Sequence, residues 1–181
     1  FSGAIAGMDT QPEDGDIVTV CDSKANPLGI GHYHNGSIAI RIMSFEIADP
    51  EKVEFWVDKF TNALEVRHTC GLPTPGQTDA YRLTHGEGDG LPGLVVDVYG
   101  TTAVVQCHSI GMHRQKDLIA EALSIVLKGQ IDGIYDKSAE SLPPKYAALQ
   151  QNGYLWNNGK AQDTTIIHEN GVKFKIDWVT G

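Results

Sequence analysis

The chain has 181 residues, 41% of them hydrophobic and 20% charged, a balance that suits a packed globular protein and excludes a disordered one. Its apolar runs are short, Leu94-Val95-Val96 being typical, and none approaches the roughly 18 residues a membrane-spanning helix needs. The formal charge of −9 excludes nucleic-acid binding through a general excess of Lys and Arg, so any phosphate contact has to come from a local face.

Two further features bound the reading. The chain opens on Phe1, which leads us to expect that the natural N-terminus lies upstream. Cys21, Cys70 and Cys107 are far apart, with no C-x-x-C pair. That pattern fits reduced thiols and a cytoplasmic protein better than a disulfide framework.

The first 45 residues predict short strands between turns. Asp14-Gly15 and Asn35-Gly36 are turn signals, while Ile17-Val18-Thr19-Val20 and Ile38-Ala39-Ile40-Arg41-Ile42 have strand chemistry. Closing such strands into a small barrel would hide their edges. A helix should follow, capped by Asp49 with Pro50 at its first position. Val53, Trp56, Val57, Phe60 and Leu64 form its apolar face, and it should stop before Gly71. Leu72-Pro73-Thr74-Pro75-Gly76 reads as a linker. The expected divisions are therefore 1–46, 47–79 and 80–181.

Residues 85–100, with glycines at 86, 88, 90 and 93, are the most informative stretch. Gly88-x-Gly90-x-x-Gly93 fits a dinucleotide-loop pattern, but such a loop must open a helix that faces the phosphate. This one leads into the β-branched run at Leu94, and Glu87 and Asp89 would repel an anion. A structural turn before a strand is the better reading. Beyond it the pattern predicts strands at 94–99 and 102–108, and a helix at 114–127. A strand at 131–135, a short helix from Pro143-Pro144 through Leu149, and a hairpin of 164–168 with 172–178 around Asn170-Gly171 complete it. The fold class is α+β.

The 85–100 segment resembles the start of the central domain in RlmI-type S-adenosylmethionine-dependent rRNA methyltransferases. Phe1-Ser2-Gly3-Ala4-Ile5 resembles the first strand of that family's PUA domain. Gly15-Asp16-x-Val18-x-Val20, Gly29-x-Gly31-x-Tyr33 and Ile38–Ile42 resemble later ones, and Glu169-Asn170-Gly171-Val172-x-Phe174 the hairpin before the methyltransferase domain. The resemblance implies a PUA-like β-barrel, a linker helix and a strand-strand-helix-strand-strand central domain. It also implies a missing C-terminal catalytic domain, which would hold S-adenosylmethionine and methylate a cytosine of large-subunit rRNA. The residues agree on one point: no strand–Gly-x-Gly–helix passage is present to bind that cofactor. The expected role of these residues is RNA recognition, with rRNA as partner and no catalytic residue or cofactor of their own. By the same resemblance the RNA surface would include Gly29, Gly31, Tyr33 and Arg41. Glycines permit close backbone approach and Tyr33 could stack on a base; equally, the glycines could serve a bulged strand and Tyr33 the core. Arg82 and Lys137 are weaker candidates.

Three other chemistries can be weighed from the residues. Cys70 lies near His68, which could activate a thiol, but a cysteine ending a helix and packing on it is the simpler reading. Cys21 and Cys107 fall in strands and are expected in the core. His32-x-His34 has metal-compatible spacing without an obvious third ligand, so both are expected to be surface histidines and no metal is expected. The acidic charge leaves a second function class open, a protein-interaction scaffold on a PUA fold with little RNA affinity.

Overall fold

The computed structural model of the chain describes residues 1–148 and 151–180. Strands β1 (Ile17–Cys21), β2 (Pro27–Tyr33) and β3 (Ile40–Ser44) form an antiparallel sheet in the order β1-β2-β3. Among the described residues this sheet is open, not a closed barrel, and Ser2–Ala4 make a 3-10 turn where a first strand was expected. Asp22 builds the β1–β2 turn, its Oδ1 accepting from the amides of Lys24 at 2.8 Å and Asn26 at 2.9 Å.

Helix α1 (Val53–Thr69) stops where expected but starts later than Pro50. Asp49 caps a preceding turn instead, its Oδ1 accepting from the Glu51 amide at 3.1 Å. The Pro50 carbonyl is then free to accept from Trp56 Nε1 at 2.9 Å, a buried bond that fixes how the chain enters the helix. The segment expected as a linker thus carries core: Phe55, Trp56, Phe60, Ala63 and Leu64 are buried.

The rest is a five-stranded mixed sheet in the order β4-β5-β6-β7-β8, made by β4 (Ala80–His85), β5 (Leu94–Tyr99), β6 (Thr102–Cys107), β7 (Gly133–Asp136) and β8 (Gly153–Asn157). Only β6 and β7 run parallel; the other neighbours are antiparallel. The crossover between them is two helices, α2 (Ile110–Arg114) and α3 (Lys116–Val126), where the periodicity predicts one. The break falls at Gln115, which closes α2 and opens α3. Helix α4 (Pro144–Ala147) starts at the proline pair as expected, while Leu149, its predicted end, lies outside the described residues. The glycine segment forms a 3-10 turn at Gly86–Asp89 and then enters β5, so it opens a strand.

Strands β9 (Thr164–Glu169) and β10 (Val172–Asp177) pair as a separate ribbon, turning at Asn170 (φ 50°) and Gly171 (φ 79°). One hydrophobic cluster joins Ile30 and Met43 of the three-stranded sheet to α1, the inner face of the five-stranded sheet and α3. Among the described residues no helix is long and apolar enough to cross a membrane.

Candidate nucleic-acid interface

The three-stranded sheet meets the larger sheet's crossover through His32. Gly111, in the first turn of α2, lies so close beneath the imidazole that a Cβ there would sit 2.3 Å from His32 Cγ. His32 is 3% exposed and its Nε2 has no hydrogen-bond partner. Burial, helped by the Arg114 charge, pushes its pKa down to about 4, so the ring is neutral at pH 7. This corrects the surface reading of His32: it is a packing residue at a junction. Among the described residues no group of three or more His, Cys, Asp or Glu could hold a metal ion.

Asp14 fastens the same junction. Its carboxylate accepts from the Asn35 amide at 2.6 Å, from Tyr146 Oη at 2.8 Å and from Lys145 Nζ, and it lies 3.5 Å from His34 Nδ1. The Lys145 hydrogen bond, followed by the Asn35 amide, holds the Asp14 carboxyl well below the usual carboxylate range. A second ion pair, Arg114 to Asp16 at 2.8 Å, lies across the junction as well. Asp14 is therefore tied to α4, where the Lys145 ammonium offsets its charge.

Beside these contacts is a small cavity of about 50 Å³ lined by His32, Tyr33, His34, Arg41, His108 and Tyr146, among others. Two of the four predicted RNA residues, Tyr33 and Arg41, line it from adjacent strands, although the pairing of Arg41 with His32 and of Tyr33 with Ile40 turns their side chains to opposite faces of the sheet. Both are half-buried. Arg67, Arg82 and Arg114 are each paired with a carboxylate, whereas the Arg41 guanidinium has no ion pair or side-chain hydrogen bond among the described residues. The cavity has room for a water or a single small group, so larger partners would contact its rim.

Gly29 and Gly31 sit differently. Both are buried beneath β3: a Cβ on Gly31 would lie 2.1 Å from the Arg41 carbonyl oxygen, and one on Gly29 2.6 Å from that of Ser44. Their lack of a side chain lets β3 close over β2 and so places Arg41. Gly31→Ala should cost roughly 1–3 kcal/mol, because backbone has to move to admit the methyl. A shift in the urea midpoint at constant slope checks it. His108, Tyr146 and Asp14 join the site only through the tertiary fold, and no local pattern ties them to it, whereas His34 directly follows Tyr33. Arg82 forms a bidentate pair with Asp97, and Lys137 donates to the Trp178 carbonyl at 2.8 Å, so both are engaged within the fold.

The thiols do not meet here. Cys107 is fully buried, and burial raises its pKa to about 12, which leaves it protonated. Cys21 is exposed at the bulged end of β1, correcting its expected place in the core, and Cys70 is exposed at the α1 terminus instead of packed on it.

Known proteins share this architecture. Residues 1–45 match the PUA-like domain family. Over its wider length the chain is similar to proteins named ribosomal RNA large subunit methyltransferase I. The one from Photobacterium profundum is 33% identical over 94% of this chain and 42% of its own length. The one from Erwinia tasmaniensis is 31% identical over 100% of this chain and 45% of its own. A solved structure from Streptococcus mutans, provisionally described as a SAM-dependent methyltransferase, superposes with a TM-score of 0.73 at 19% identity. It matches 93% of this chain and 41% of its own, a likeness of fold. The chain thus spans less than half the length of the relatives it matches.

Proposed function

We infer that this chain is the RNA-recognition and positioning part of a large-subunit rRNA cytosine methyltransferase, with rRNA as partner. The observation that carries the inference is that Tyr33 and Arg41, on adjacent strands, both line one small cavity, with the Arg41 guanidinium free of ion pairs and side-chain hydrogen bonds among the described residues. An aromatic face and a free guanidinium are the pair of groups that stack on a base and meet a phosphate. The similarity to rRNA methyltransferases supports the choice of RNA class.

The methyl-transfer chemistry belongs on this reading to sequence beyond these residues, where S-adenosylmethionine would bind. The residues present do not fit that cofactor. It calls for an open glycine turn between a parallel strand and a helix. In the one parallel pair among the described residues, β6 with β7, the helix that follows β6 is α2, and its first turn is covered by the His32 ring.

RNA titration over a range of salt tests the reading. Tyr33→Ala should weaken binding by about one to two decades while leaving the salt slope nearly unchanged, as expected for a lost stack. Arg41→Ala should lower the slope by about 0.7–0.9, one phosphate's worth. If both folded variants bind as the parent does, the surface is wrong.

A second reading, a protein-interaction scaffold, has one observation behind it. A groove of about 700 Å³ runs between the end of β3 and α1, acidic on balance, with Glu46, Asp49, Glu54, Asp58 and Glu87 against Lys52 and Lys59. Phe45 stands on it 82% exposed. Such a groove repels RNA and suits a partner with basic and apolar groups. Absence of RNA binding together with capture of such a partner at Phe45 would favour it.

A further inference from the structure

The β9–β10 ribbon carries two lysines on one face that lack an ion pair or side-chain hydrogen bond among the described residues. Cross-strand pairing sets Lys173 opposite His168 and Lys175 opposite Ile166, which puts all four on one face. That face is open: Ile166 is 61% exposed, while its neighbour Ile167, on the other face, is 4% exposed. Neither Lys173 nor Lys175 has an ion pair or side-chain hydrogen bond among the described residues, in a chain whose net charge is −9. Two nearby acids are engaged in other bonds, while Glu169 lies on the ribbon's other face. Asp79 bonds the His168 ring at 3.0 Å. Asp177, on the same face, accepts from the Val179 and Thr180 amides and the Thr180 hydroxyl.

The ribbon is also held in place. His168 and Asp79 exchange backbone and side-chain bonds, with the Asp79 amide donating to the His168 carbonyl at 3.0 Å and the His168 amide to Asp79 Oδ1 at 2.6 Å. The Gly171 amide donates to the Gln77 carbonyl at 3.0 Å, and the Asn170 amide to Thr78 Oγ1 at 3.1 Å. Two lysines two residues apart on a strand are about 7 Å apart, comparable to successive phosphates on one nucleic-acid strand.

We propose that the Lys173–Lys175 face of this ribbon is a second contact surface for the phosphate backbone of RNA, separate from the Tyr33–Arg41 rim. It rests on the RNA-recognition reading above. Its contribution is positional: two charge contacts on a fixed ribbon set the orientation of the RNA without reading its bases.

The test is a titration of the chain with a fluorescein-labelled RNA stem-loop across a salt series, for the parent and for K173A/K175A. The double variant should bind roughly tenfold more weakly near 0.1 M salt and lose about 1.4–1.8 from the salt slope, two phosphates' worth. K173R/K175R should restore both, which separates charge from any effect on ribbon folding. Lysine modification with and without the RNA should show protection at both positions. A parent that binds while K173A/K175A matches it in affinity and slope overturns the ribbon surface and leaves the Tyr33–Arg41 reading standing. A double variant that binds normally but self-associates also overturns it, because the lysines would then only guard the open edge of β10. A parent that binds no RNA overturns both readings together.

Discussion

Trp56→Ala should destabilise the chain by about 3–5 kcal/mol, the range for truncating a fully buried aromatic. Trp56 is 0% exposed, stacks edge-on against Phe55 at 5.3 Å, and donates its indole N–H to the Pro50 carbonyl. The alanine variant loses apolar burial and strands a buried carbonyl. Trp56→Phe, which keeps a ring but no donor, should recover much of the loss and leave about 1 kcal/mol for the missing bond. The effect should reach the RNA surface. Lys59, one turn further along α1, donates to the Met43 carbonyl of β3 at 2.6 Å, and β3 carries Arg41. RNA affinity in the alanine variant should therefore fall at temperatures where the parent is still folded. Urea denaturation measures the stability term, and a loss below about 0.5 kcal/mol would mean that the helix face is not buried in solution.

That helix shows what local pattern can carry. The stripe of Val53, Trp56, Val57, Phe60 and Leu64 is legible because the core-facing side of the helix keeps the 3.6-residue period, with Trp56, Phe60 and Leu64 buried and Val53 and Val57 half-buried at its margin. Phe55 lies off the stripe and is buried all the same, since α1 packs against both α3 and β4 and reaches β3 through Lys59. Burial on more than one side erases the period. The hairpin at Asn170-Gly171 was equally legible, because its turn chemistry is local.

Two strands were not anticipated. In β4 the alternation of buried Tyr81 and Leu83 with exposed Arg82 is present, but a register shift between Arg82 and Thr84 breaks it after three residues. In β8 every residue but the last is half-buried, so no alternation exists to read. At the candidate site, Tyr33 and Arg41 could be named because they lie in strands of a resembling domain. His32 could not be assigned to the junction, because its burial depends on Gly111 in a helix far along the chain. The Asp14 contacts to Lys145 and Tyr146 are of the same kind. Tertiary proximity leaves no mark on either segment alone.

Asp89→Ala should cost about 3 kcal/mol, near the lower bound for breaking a buried ion pair. Its carboxylate takes two parallel bonds from Arg67, both 2.7 Å, and a third from the His85 amide at 2.6 Å. The side chains are 15% and 9% exposed, so removing the acid leaves a largely desolvated guanidinium. Arg67 keeps one partner, the Arg82 carbonyl at 2.9 Å, and this moderates the loss. Replacing both groups by apolar ones, Arg67→Met with Asp89→Leu, should be far milder than either single change predicts. About 1 kcal/mol should remain for the unpaired His85 amide. Urea midpoints of the two single variants and the double variant form the cycle, and a coupling near zero would mean that the pair is solvated and unimportant. A strong coupling explains why an acid sits inside a glycine-rich turn. Glycines let the chain reverse between β4 and β5, and Asp89 ties that reversal to the last turn of α1. The carboxylate that disqualifies the loop as a phosphate cradle is then the group that fixes its shape.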